Sequence, residues 1–139
     1  MQVQQKTIEL QTRGAALYEI TAALMDAVRG SEVTEGLVTA FCPHTSCSLL
    51  IQENADPDVR RDLDAFFRRL VPEGMDFIVH DSEGPDDMPA HIKTALTQTS
   101  IGIPITGGRP ILGTWQGLYL FEHRTRPHRR RVIFQIMGT

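Results

Sequence analysis

Ile8 and Leu10 stand among polar neighbours in residues 2–11, the alternation of a half-buried strand. Leu17, Ile20, Leu24 and Val28 then recur at helical spacing, and Gly30 ends the pattern. Residues 37–42 form a compact apolar strand, Pro43-His44-Thr45-Ser46 breaks it, and 47–51 resume as a second strand. Asp56-Pro57 marks a helix start, with Asp as N-cap and Pro at the first helical position. Val59, Leu63, Phe66, Phe67 and Leu70 give that helix an apolar face, and Pro72-Glu73-Gly74 ends it. The run Phe77-Ile78-Val79 places His80 at a strand end. Asp86 or Asp87 caps a third helix that reaches about Thr99, its apolar positions being Met88, Ile92, Ala95 and Leu96.

The remaining residues read as β-structure. Ile101, Ile103 and Ile105 alternate, Gly107-Gly108 supplies a hairpin turn, and residues 113–117 interrupt the pattern as a bulge or corner does. Leu118, Leu120 and Glu122 share one strand face, Tyr119, Phe121 and His123 the other, and the last strand covers about 131–137. Trp115 reads as a core residue. Helices interspersed among hairpin-linked strands predict an α+β fold: a compact, mainly antiparallel β-sandwich with about three helices, one domain over residues 1–139.

Composition narrows function more than fold. At 41% hydrophobic and 22% charged residues the chain is an ordinary globular one. No apolar run approaches the roughly 20 residues of a membrane span, so no membrane partner is expected. The first residues lack a signal-peptide pattern, and Cys42 and Cys47 form no disulfide framework, which makes the cytoplasm the expected compartment. A net charge of -3 argues against a general nucleic-acid binder, although Arg124, Arg126, Arg129, Arg130 and Arg131 form one basic run.

Polar chemistry gathers at the edges of apolar elements: His44-Thr45-Ser46, Gln52-Glu53-Asn54, residues 80–93, and Glu122-His123-Arg124. His44, His80 and His91 are the candidate metal ligands, since neutral imidazole is the commonest transition-metal ligand. Asp87 and His91 form an i,i+4 pair on one helix face, where a carboxylate fixes the imidazole tautomer or joins it on a metal. Glu53, Asp87 and Glu122 are candidates to move protons or orient ligands, with His123 as a reserve ligand or acid/base. Thr45, Ser46, Asn54, Lys93 and Arg124 are candidates for holding an anionic substrate. Plainer accounts stand beside these: an acidic surface loop, hydrogen-bonded structural histidines, and a structural ion pair between Glu122 and an arginine.

The ordered motifs Pro43-His44-Thr45-Ser46, Gln52-Glu53-Asn54-Ala55-Asp56-Pro57, Asp87-Met88-Pro89-Ala90-His91-Ile92-Lys93 and Leu112-Gly113-Thr114-Trp115-Gln116-Gly117 resemble the YjbQ-like family. That family is also called uncharacterised protein family 0047, or secondary thiamine-phosphate synthase enzyme. The resemblance implies a homotrimer with a metal site near subunit interfaces, and it marks His44, Glu53, Asn54, His80, Asp87, His91 and Glu122. His123 and Arg124 match part of the family. The name implies a phosphorylated small-molecule substrate: a hydroxymethylpyrimidine diphosphate joined to a thiazole phosphate with release of pyrophosphate. Histidine ligands imply zinc or a similar transition metal, whereas a diphosphate substrate implies magnesium. A metabolite- or metal-binding protein without turnover is the alternative.

Overall fold

A computed structural model describes residues 1–139. Eight strands and three helices follow in the order β1 (Gln2–Gln11), β2 (Ala16–Glu19), α1 (Thr21–Ser31), β3 (Glu35–Phe41), β4 (Cys47–Glu53), α2 (Pro57–Leu70), α3 (Asp87–Leu96), β5 (Ser100–Thr106), β6 (Arg109–Pro110), β7 (Gln116–Glu122) and β8 (Arg129–Gly138). Every strand pair is antiparallel. One sheet runs β1-β8-β3-β5-β6 and the other β2-β7-β4. This is the α+β sandwich that the periodicity predicts.

Alternation decides what lies between the sheets. Val38 and Ala40 of β3, Ile101, Ile103 and Ile105 of β5, and Val132, Phe134 and Ile136 of β8 turn inward, against Leu49 of β4 and Leu118 and Leu120 of β7. Leu24, Ala27 and Val28 of α1 complete this core. The opposite face of β7 carries Phe121, whose ring meets Phe67 of α2 edge-on at 5.4 Å. The outer two helices therefore lie on the far side of the three-stranded sheet. Asp56 caps α2 as expected, its carboxylate accepting the Asp58 N–H at 2.9 Å. Gly107 and Gly108 both have positive φ, 60° and 77°, which suits the tight β5–β6 hairpin.

Five expectations need correction. Residues 16–19 pair with β7 as a strand instead of opening α1; Leu17 belongs to β2, because the free edge of β7 offers backbone partners. Gly30 lies inside α1, which stops instead at Glu32, a residue with φ 62°. Phe77 and Val79 are exposed in a turn-rich connection, not a strand, so His80 is held by a loop. The buried face of α3 is Ala90, Lys93 and Thr94, while Leu96 is exposed and the helix ends there. Trp115, expected in the core, is 63% exposed.

Candidate metal centre

The first turns of α3 place Asp87 and His91 one turn apart on the same face, and the loop before it brings His80 and Glu83 against them. One ligand atom from each of these four residues lies within 4.8 Å of the others. His80 Nε2 is 2.8 Å from Asp87 Oδ2 and 3.3 Å from Glu83 Oε2, and His91 Nε2 is 3.1 Å from the same Asp87 Oδ2. Four ligands about 2.05 Å from a tetrahedral zinc are separated by about 3.3 Å, so a small opening of this cluster fits such an ion.

The tautomer of His91 follows from its other contact. Its Nδ1 lies 2.8 Å from the Thr45 carbonyl oxygen, which only accepts, so Nδ1 carries the proton. A neutral His91 then directs its Nε2 lone pair at a carboxylate oxygen. Two acceptors in that arrangement need a cation between them, a proton or a metal ion. The second oxygen of Asp87 is held elsewhere: Arg124 Nη1 donates to Oδ1 at 2.8 Å. Arg124 also bonds Asp86 through Nε at 2.9 Å and donates to the Glu83 carbonyl at 3.0 Å, tying together the loop that presents the ligands.

Titration behaviour follows this wiring. The hydrogen bond to Asp87, with the charges of Asp87 and Glu83, raises the pKa of His80 above the ordinary histidine value. Burial raises the Asp87 carboxyl, but hydrogen bonds from His80 and Glu83 and the charges of His91 and Arg124 outweigh it and hold it low. Asp86 is likewise pushed up by burial, yet Arg124 and Thr125 bring it down to about 2. Lys93, on the other side of α3, is lowered by burial.

The other predicted residues sit in different places. His44 shares a cleft of about 600 Å³ with Thr45 and His91, but its Nε2 accepts the Arg131 N–H at 3.0 Å and it stands outside the four-residue cluster. Ser46 is engaged by Arg130 through both its carbonyl and its hydroxyl. Glu122 is fully buried, and its oxygens take hydrogen bonds from Arg130 and Thr12. His123 is buried too, with Nε2 on Ser48 Oγ at 2.9 Å. Glu53 and Asn54 lie at the opposite end of β4 from Thr45, about 20 Å away along the strand. There Glu53 accepts the Asp56 N–H, and Asn54 donates to the Gln116 carbonyl. Within one chain, then, His80, Asp87, His91 and Arg124 come together; Glu53 and Asn54 do not join them. Cys47 is buried beside Cys42, and the Cys42 hydrogen bond and burial raise its pKa, which makes it no ready nucleophile.

Glu83 was missing from the sequence-based ligand set. The signal was present: positions 80, 83, 87 and 91 are separated by three, four and four residues, the spacing of one helical face continued into a loop.

Comparison with known proteins gives this geometry a context. A family model described as UPF0047 protein YjbQ-like matches residues 6–139. A UPF0047 protein of Synechocystis is 52% identical over 134 residues, covering 96% of this chain and 91% of its own. The YjbQ protein of Escherichia coli O157:H7 is 40% identical over 135 residues, covering 96% of this chain and 97% of its own. A crystal structure of an uncharacterised conserved protein of the same family from Clostridium acetobutylicum superposes with a TM-score of 0.88 at 37% identity, covering 95% of this chain and 99% of that one. The chain belongs to the YjbQ-like UPF0047 family.

Proposed function

We propose that this chain is a small metal-dependent enzyme acting on a phosphorylated small molecule, with His80, Glu83, Asp87 and His91 holding the metal. The observation that carries the reading is the fixed tautomer of His91, which turns a lone pair toward the carboxylate oxygen that His80 also faces. Two imidazoles and two carboxylates favour zinc or a similar transition metal over magnesium, which prefers oxygen ligands and water. Bound there, the ion supplies Lewis acidity toward a phosphoryl or carbonyl oxygen. All four candidate ligands come from one chain.

For the reaction itself we propose thiamine-phosphate formation as a secondary activity, supported by the family resemblance alone. Incubation with hydroxymethylpyrimidine diphosphate and thiazole phosphate should release pyrophosphate in proportion to bound metal; no release at full metal loading removes this reaction. Cytoplasmic residence is part of the proposal, supported by two buried free thiols that lie 3.5 Å apart, hydrogen-bonded and not joined as a disulfide. No helix is long and apolar enough to cross a membrane.

Elemental analysis of protein purified without tag or chelator tests the centre. The expected result is about one zinc-class ion per chain, reduced at least about tenfold in affinity in His91→Ala and in Asp87→Asn. The raised pKa of His80 favours one other reading, in which a proton joins the rings and the carboxylate. Metal-free protein after incubation with zinc, nickel and manganese establishes that reading and removes the metal.

We further propose the homotrimer that the resemblance implies, formed over the outer face of the five-stranded sheet. Val3, Leu37, Phe41 and Met137 are exposed there by 41–58%, and Gln135 on the same face has a buried side-chain oxygen without a partner. Leu37 and Met137 are cross-strand neighbours, so Leu37→Glu with Met137→Lys should convert a trimer to monomers in light scattering. A monomeric parent protein overturns the assembly.

A further inference from the structure

We propose that the cavity on the other side of α3 from the histidine–carboxylate cluster is a second binding site, which takes the phosphate group of a small phosphorylated molecule on Lys93 and His123. His91 and Lys93 are two residues apart, hence about 200° apart around the helix. The face carrying Asp87 and His91 forms the cluster, and the face carrying Pro89 and Lys93 lines a cavity of about 590 Å³. That volume lies within the range of small-molecule sites. None of the four metal-ligand candidates lines it, so this site stands or falls apart from the metal reading.

Two buried polar groups point to an occupant. Lys93 is only 8% exposed, yet its surroundings act on it through charge at a distance and no carboxylate pairs with it. The Lys93 Nζ is not sealed off, so the ammonium is open to the cavity that Lys93 lines, where an anion supplies the counter-charge it lacks. His123 is 2% exposed, and its Nδ1 is buried with no hydrogen-bond partner. Such an atom in a folded protein needs an explanation. Its Nε2 sits on Ser48 Oγ at 2.9 Å, and Thr97 Oγ1 reaches the same hydroxyl at 2.6 Å. Thr97 Oγ1 also lies 2.8 Å from the Lys93 carbonyl oxygen, which only accepts, so Thr97 donates there, Ser48 donates to Thr97, and the His123 Nε2–H donates to Ser48. Nδ1 then keeps a lone pair, which can accept the O–H of a hydrogen phosphate.

The charge balance of the walls agrees. Arg13, Arg68 and Lys93 are the cationic lining residues, against Glu73 and Asp86. Asp86 is already neutralised by Arg124 and Thr125, and Arg68 pairs with the partly buried Asp64. The positive charge left over sits deepest, at Lys93, with the Arg13 guanidinium at the wall. Tyr18 supplies a ring wall, and its hydroxyl bonds Gly14 and Arg13 backbone groups that shape the opening.

Titration of inorganic phosphate into the parent protein at neutral pH, followed by imidazole nitrogen chemical shifts, tests the site. Binding should saturate in the millimolar range and move the His123 Nδ1 resonance. Lys93→Met should weaken it at least about tenfold, and Arg13→Ala should weaken it less. His91→Ala should leave it within about twofold, which separates this cavity from the metal centre. No saturable binding, an unchanged affinity in Lys93→Met with the fold intact, or loss of binding in His91→Ala overturns the assignment. If Lys93→Met does not fold, Lys93→Arg, which keeps the charge, should retain phosphate binding and Arg13→Ala carries the comparison.

Discussion

Arg130→Met should destabilise the protein by about 3–5 kcal/mol, the largest effect expected of any single side-chain replacement in this fold. Glu122 is completely buried, and the Arg130 side chain is 6% exposed. Arg130 Nε lies 3.0 Å from Oε1 and 3.1 Å from Oε2, and Nη2 lies 2.5 Å from Oε2. Thr12 Oγ1 donates to Oε1 at 2.7 Å, and the Glu122 side chain also accepts the His123 N–H. This one carboxylate therefore ties the end of β1, β7 and β8 together. Methionine fills most of the volume but leaves a fully buried carboxylate whose nearest remaining ionisable group is His128, with Nδ1 3.7 Å from Oε1. Such a loss is a large part of the roughly 5–15 kcal/mol that holds a domain of this size folded. The double replacement Glu122→Leu with Arg130→Met should recover most of the loss, because an apolar pair carries no desolvation penalty. Urea midpoints of the three variants decide the matter. A single variant within about 1 kcal/mol of the parent would show that water reaches the pair.

The same pair illustrates what was legible in the sequence. Alternation along 118–123 placed Glu122 on one face with Leu118 and Leu120; those two leucines join the core between the sheets, and Glu122 is fully buried. Alternation assigns a face but not a partner, and Arg130 was one arginine in a run of five with nothing local to single it out. The strands were readable wherever the period of two was unbroken, as in Ile101, Ile103 and Ile105. Residues 16–19 were misread because Leu17 and Ile20 also fit a helical spacing, and only pairing with β7 distinguishes the two. In α3 the apolar pattern selected Met88, Ile92 and Leu96, whereas the buried face holds Lys93 and Thr94. Hydrophobic spacing cannot find a helix face that is buried for its polar groups. The local pair Asp87–His91 was readable from its four-residue interval; the Thr45 carbonyl that sets the His91 tautomer is a backbone contact across 46 residues, invisible to residue identity.

His123 should make stability fall as the solution is acidified from neutrality. Burial, together with the charges of Lys93 and Arg130, brings its pKa down to about 3, from an ordinary value near 6.5. The unfolded chain thus takes up a proton between about pH 6.5 and 3 that the folded chain refuses. In that window the unfolded state binds more protons, so stability is complete above the unfolded pKa and declines as pH falls toward the folded one. At about 1.4 kcal/mol per pH unit, this one ring costs roughly 2–3 kcal/mol between pH 7 and 4.5. Phe121 packs on the ring at 4.3 Å and keeps the site dry. Acid also strips a metal from the His80–His91 cluster, so the comparison belongs in chelator-treated protein. There, His123→Asn should flatten the dependence of the urea midpoint on pH by that amount while lowering stability at pH 7. A parallel pH dependence in parent and variant would mean that His123 takes its proton in the folded state. The Nδ1 atom would then have found an acceptor or water inside the cavity. In the parent protein, phosphate bound at Nδ1 should raise the folded pKa and reduce the slope, which links acid stability to the occupancy of that cavity.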